Sequence, residues 1–365
     1  MSTKVCLLLE GAQFPEGGYL WVFLNWALGL RALGCDVVWL VEISPTIAAH
    51  ELHDHTLALR GLLGPYGFGE CIRVCCPNGG SVAREDVRVC MEVDPAEADL
   101  LLNVGHYTVS SELVGRFRLS ALVDIDPGLT QIWMTEADLH IAPHDVYFTI
   151  GETVGQPGAR FPDAGIQWHY TPPCVSLDCW EPHPARNGAA FTTVSHWWGG
   201  DDAKREGFLP FLDLPQHTCH PLELALSMGD VPEEQAMLVE RGWRVCDACQ
   251  VASTPADYQR YIQNSLAEFS CVKPPCVQLQ NAWISDRTLC YLASGKPAVV
   301  QHTGPSRFLP EDAGLFRFRD LPEAVRYLER VVEDYEHQCR LARMLAEEYF
   351  DARKVAAAVL ERALA

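Results

Sequence analysis

No stretch of this chain approaches the roughly 20 consecutive apolar residues that a membrane-spanning helix needs. The opening MSTKVCLLLEGA carries one lysine and only a short apolar core before Glu10. That is too little for a secretory leader and reads as a first buried strand, so a cytoplasmic protein is expected. Basic residues are scarce: 28 Lys and Arg stand against 48 Asp and Glu, a formal net charge of −20. Such a surface repels polyanions, which disfavours nucleic acid and acidic membranes as partners. No Lys or Arg run is long enough to make a local basic patch, and no repeat at a solenoid period is visible.

What is present is a globular composition. The 365 residues exceed one typical core and suggest two domains, and a hydrophobic fraction of 48% excludes disorder. The 15 cysteines would suggest disulfides in a secreted chain, but nothing here directs export. Most sit in apolar segments, as Cys6, Cys90 and Cys290 do, where cysteine acts as a small hydrophobe. The pairs Cys246/Cys249 and Cys271/Cys276 have ligand-like spacing but lack knuckle-like loops, so buried thiols rather than zinc are expected.

The pattern along the chain alternates strand and helix. Strand 5–9, a polar loop, helix 19–33 with Gly34 at its C-cap, and strand 37–41 come first. Further strands follow at 99–103, 120–124 and 146–150. Continuous apolar strands of this kind belong to a parallel sheet covered on both faces. Residues 151–188, crowded with Pro and Gly, read as a linker. A second series runs through strands 191–195 and 222–226, helix 233–241, strand 243–245, helix 255–264 and a strand near Phe269. It ends in the run NAWISDRTLCYLASGKPAVVQHTG and an almost wholly helical tail from residue 321. The expected architecture is α/β, two Rossmann-like domains facing across a cleft. Their ligands would lie at the carboxyl ends of the strands.

Several strand-end loops carry chemistry. Gly17 and Gly18 open a helix and would let a phosphate or sugar approach backbone N–H groups, although an ordinary tight turn uses the same residues. The loop is neither a dinucleotide fingerprint nor a Walker loop. Asp124 and Asp126 of DIDPG share one face if extended, so either could serve as a base or hold a sugar hydroxyl; Asp-Pro-Gly is also plain turn chemistry. His106 occupies a similar loop and is the rival base. Trp198 and Gly199 end the first strand of the second series and could face a base or phosphate. Lys273 closes AEFSCVK and could neutralise a pyrophosphate. Ser285 and Asp286 suit a helix start, whereas Arg287 is disfavoured there by the dipole and so is expected to face an anion. Thr303 and Gly304 supply a second polar loop close by.

These residues together resemble the two-domain GT-B glycosyltransferases. LCYLASGKPAVV is similar to their LEAMACGTPVV signature, and LRALGCDVVWL to the opening of their first domain. The segments VDIDPGLTQIW, YFTIGETVGQPG, AEFSCVK and ISDRTLCYLASGKP resemble a bacterial, family-1-like branch of these transferases. The resemblance implies an acceptor-side domain over residues 1–185 and a nucleotide-sugar domain over 186–345. A final helix, 346–365, would cross back onto the first domain. It implies transfer of a sugar from a nucleotide-diphosphate sugar, UDP-sugar by preference, to a small-molecule or glycan hydroxyl. No metal or other cofactor is expected. Donor contacts would fall on Gly17, Gly18, Trp198, Gly199, Lys273, Ser285, Asp286, Arg287, Thr303 and Gly304. One departure matters: the Glu that many retaining members place five residues before the helix-ending glycine is Cys290 here, and its partner position is Ala282. An epimerase of the same fold and a catalytically inactive nucleotide-sugar binder are the alternatives.

Overall fold

The structure, a computed structural model, describes residues 2–10, 17–44, 46–75, 97–186, 188–198 and 204–365. The first domain holds β1 (Lys4–Glu10), β2 (Asp36–Glu42), β3 (Ile72–Cys75), β4 (Leu100–Val104), β5 (Ser120–Asp124), β6 (Val146–Thr149) and β7 (Trp168–Tyr170). Its sheet runs β3-β2-β1-β4-β5-β6-β7, parallel throughout. Strands β4 and β5 are buried at every position, as both-faced coverage demands.

The second domain repeats the plan. It holds β8 (Phe191–His196), β9 (Leu222–Ser227), β10 (Arg244–Asp247), β11 (Ala267–Ser270), β12 (Ala298–Gln301), β13 (Asp312–Ala313) and β14 (Leu315–Phe318). The order is β10-β9-β8-β11-β12-β14-β13, with only β13 antiparallel. In each sheet the chain reverses its direction of spread beside its first strand, which places ligand crevices beyond the strand ends there. Among the described residues no helix is long and apolar enough to cross a membrane.

Two local readings change. Residues 151–188 are not merely a linker, because Trp168–Tyr170 adds a seventh strand against β6. Three residues are too few to show a period, so the strand was invisible in sequence. The helix Ala49–Leu63 and short β3 also went unread. Gly34, the expected helix end, takes φ of +83°, and Gly242, just after helix Pro232–Glu240, takes +100°, conformations that glycine adopts freely.

The tail returns as expected. The Phe350 carbonyl accepts from Val175 N at 2.8 Å, and Ala352 N donates to Val175 O at 3.0 Å. Helix Ala352–Ala363 then lies on helix Gly17–Ala32, burying Val355, Ala356 and Val359. Gly29 permits this approach, since a Cβ there would stand 2.5 Å from the Ala352 carbonyl oxygen.

Candidate functional site

A cavity of about 650 Å³ opens between the domains at these strand ends. The first domain contributes Gly18, Tyr19, Asp126 and Pro127, and the second His196, Trp198, Lys204, Lys273, Trp283 and Ser285–Arg287. Close contacts hold its two walls together. Trp21 Nε1 donates to Pro255 O at 2.8 Å, and Trp283 Nε1 to Ile125 O at 3.2 Å. Asn281 Nδ2 donates to the Pro127 carbonyl, so the NAW segment grips the Asp-Pro-Gly loop. Gln280 and Ala282 flank that asparagine at φ +52° and +61°, left-handed values rare outside glycine.

The two aspartates of the DIDPG loop divide in role. Asp124 is fully buried, and its Oδ1 accepts from Tyr107 (2.9 Å), Thr130 (2.7 Å) and Asp126 N (3.1 Å). Its Oδ2 accepts from Gln131 and Thr149, both at 2.9 Å. That carboxylate is saturated and positions the loop rather than meeting a ligand. Asp126 instead reaches the cavity. Burial first, then the Asp124 charge, pushes its carboxyl up to about 6, against the pull of Lys273 and the Tyr107 hydroxyl. Across the cavity, burial and then the repulsion of Asp126 push Asp286 up to about 7, against its own backbone N–H. Each domain thus presents one carboxyl raised toward neutrality, Asp286 further than Asp126.

The cations also divide. Arg287 does face an anion, but one inside the protein: Nε meets Glu268 Oε1 at 2.8 Å. Nη1 donates to Val194 O at 2.9 Å and Nη2 to Ser270 Oγ at 2.5 Å. The side chain lines the cavity while tying β8 to β11. Lys273, in extended backbone before the helix Pro274–Leu279, lies on the wall near Asp126. Lys204, which the sequence reading did not single out, joins it. Its Nζ donates to Cys271 O at 3.3 Å, and burial, then Arg287, brings it down to about 7. Only its place after a Gly-Gly loop at a strand end could have flagged it. Ser285 has N-cap backbone angles, yet its hydroxyl caps nothing, so no serine cap covers the start of helix Asp286–Ala293 at the cavity wall.

Several expected site residues stand off the described lining. His106 is 5% exposed and locked to Glu42, Nε2 to Oε2 at 2.8 Å, while its backbone is clamped by Asn103. Thr303 Oγ1 donates to Trp283 O at 2.6 Å, and Gly304, at φ +127°, lies where a Cβ would meet the Gln280 backbone at 2.5 Å. Both therefore buttress the cavity wall from behind. Gly17 serves the domain contact, since a Cβ there would stand 2.2 Å from Thr254 O. Trp198 does line the cavity, 44% exposed and anchored by Nε1 to Met228 O at 2.9 Å. Gly199, like Cys90, lies outside the described residues. Among the described residues, the expected cysteine pairs gather no set of three metal-capable groups.

The sequence matches no family model and no curated protein. Solved structures do match, over nearly the whole of both chains. HepE from Anabaena, in complex with UDP and glucose, is similar at TM-score 0.60 and 13% identity, covering 99% of each chain. An alpha-glucosyltransferase in complex with UDP and a 13-mer DNA gives 0.62 and 10%, covering 100% of each. Sucrose-phosphate synthase from Thermosynechococcus elongatus gives 0.58 and 12%, covering 99% of this chain and 98% of its own. At such identities the likeness speaks for backbone architecture, and it spans both domains and the returning helix: the chain has the GT-B fold of these glycosyltransferases.

Proposed function

We propose that this protein is a glycosyltransferase that moves a sugar from a nucleotide-diphosphate sugar, a UDP-sugar by preference, to an acceptor hydroxyl. One observation carries the reading. Lys204, Lys273 and an uncapped helix start, all from the second domain, converge on one cavity opposite Asp126 of the first. UDP bound in the similarly folded HepE and alpha-glucosyltransferase supports a nucleoside diphosphate as the ligand class.

In this reading the diphosphate lies at the start of helix Asp286–Ala293, where backbone N–H groups and the helix dipole favour anions. The acceptor hydroxyl sits beside Asp126. Where configuration inverts, its oxygen attacks the anomeric carbon as Asp126 takes the proton and the bond to the diphosphate breaks. The lysines and amide groups stabilise the charge that grows on the leaving phosphate, so the step needs no metal. A carboxyl poised at about 6 is suited to the base role, being ionised at neutral pH yet still basic. Asp124 and Tyr107 aim it.

The test joins binding and turnover. UDP should bind by calorimetry, and Asp126→Asn should slow transfer, or slow donor hydrolysis when no acceptor is known, by about 10²–10⁴-fold. UDP affinity should stay within a few-fold. Absence of binding by any nucleoside diphosphate refutes the donor reading. Turnover by Asp126→Asn close to wild type refutes the base. Epimerised nucleotide sugar formed without acceptor points instead to an epimerase.

A further inference from the structure

The second domain carries a cluster that the sugar-transfer reading does not use. Cys219 and His220 sit in the turn that leads into β9, within the run His217-Thr218-Cys219-His220. Glu329 projects to them from helix Leu321–Glu333, 109 residues away in sequence. This is the end of the strands opposite the cavity: β9 begins here and finishes beside the cleft roughly 20 Å away, at about 3.3 Å per residue.

We propose that Cys219, His220 and Glu329 form a binding site for a divalent ion of the zinc class. One sulfur, one nitrogen and one carboxylate oxygen lie within 4.8 Å of one another, the only such group among the described residues. His220 Nε2 is 3.1 Å from Glu329 Oε2. A tetrahedral zinc ion with bonds of about 2.0–2.1 Å to N and O and about 2.3 Å to S sets its ligand atoms about 3.3–3.6 Å apart. The histidine and carboxylate are therefore spaced almost as the ion requires, and the exposed Cys219 need only swing inward.

The surroundings hold two of the ligands in place. Thr218 Oγ1 accepts from His220 N at 3.2 Å and donates to Glu329 Oε1 at 3.4 Å. The His220 ring packs on Phe191, centroids 6.0 Å apart. A soft thiolate beside imidazole and carboxylate selects zinc, or cobalt as its spectroscopic stand-in, over magnesium or calcium. Water completes the fourth position. Binding replaces the hydrogen bond between His220 and Glu329 and releases the proton of the thiol. The bound ion staples the turn before β9 to helix Leu321–Glu333.

Chelator-treated full-length protein titrated with Co²⁺ gives the test. We expect one equivalent with the visible bands of tetrahedral cobalt and a thiolate charge-transfer band. Cys219→Ser should abolish the charge-transfer band, and Glu329→Gln should weaken binding by at least about tenfold, no less than a supporting group costs. A Cys246→Ser/Cys249→Ser double variant should bind as wild type does. Zn²⁺ should raise the melting temperature of wild type but not of Cys219→Ser. The proposal is overturned if micromolar Co²⁺ shows no 1:1 complex, or if the charge-transfer band survives in Cys219→Ser. Neither outcome depends on nucleotide-sugar chemistry.

Discussion

Replacing Asp286 by Asn should stabilise this protein at pH 8 and leave it nearly unchanged near pH 4. The folded structure holds the Asp286 proton up to about 7, against an ordinary value of 3.8, chiefly because ionising it there costs solvation. A raised folded-state value means that the folded chain binds the proton more tightly than the unfolded chain does. The resulting stability is complete below about 4 and is lost as pH rises through 7. The displacement of about three pH units sets a ceiling of about 4 kcal/mol at about 1.4 kcal/mol per unit. Part of the side chain still meets solvent, which roughly halves that figure. An Asp in the first helical turn also gains about 0.3–1 kcal/mol from the dipole, which Asn forgoes. Burial wins, and a net gain of about 1–2 kcal/mol is expected. Asp126→Asn should act in the same direction and less strongly, its carboxyl being displaced only to about 6. The double variant should gain less than the sum, because either substitution removes the repulsion between the two. Urea unfolding followed by fluorescence at both pH values measures this. Equal effects at the two pH values, or destabilisation at pH 8, would refute the argument.

Arg287→Ala should cost about 3–5 kcal/mol in urea unfolding, because it strands the buried Glu268 carboxylate. Lys204→Ala and Lys273→Ala should instead leave stability within about 1 kcal/mol, while calorimetry shows each weakening UDP by about 1.5–3 kcal/mol. Asp124→Asn, which turns an acceptor into a donor facing Gln131 or Thr149, should lower stability by at least about 2 kcal/mol; two-dimensional NMR should show the Asp-Pro-Gly loop disturbed. Gly17→Ala should cost about 1–3 kcal/mol and loosen the domain contact, visible as a lower melting temperature and a larger radius in solution scattering.

The sequence by itself determined the elements with strong local marks and their grouping into two α/β series. Apolar runs such as LLLNV and SALVD admit only strands covered on both faces, and Gly34 and Gly242 end helices because glycine takes positive φ without strain. Those signals act over a few residues, so they survive without tertiary context. The same locality marked the loops after β5 and β11 and the start of helix Asp286–Ala293 as the ligand side. What only tertiary structure decided is which charge each side chain meets. Arg287 was legible as a cation in need of an anion, but Glu268, 19 residues earlier on strand β11, answers it. Asp124 and Asp126 looked equivalent until five donors from three segments enclosed one of them and left the other at the cavity. Lys204 had only a weak local mark, and Cys219 and His220 acquire a carboxylate partner only when helix Leu321–Glu333 packs against the turn Leu214–His217 that precedes them. Hydrogen bonds and ion pairs reach only a few ångströms, whereas the residues they join stand tens to hundreds of positions apart. Only the packed chain brings them within reach.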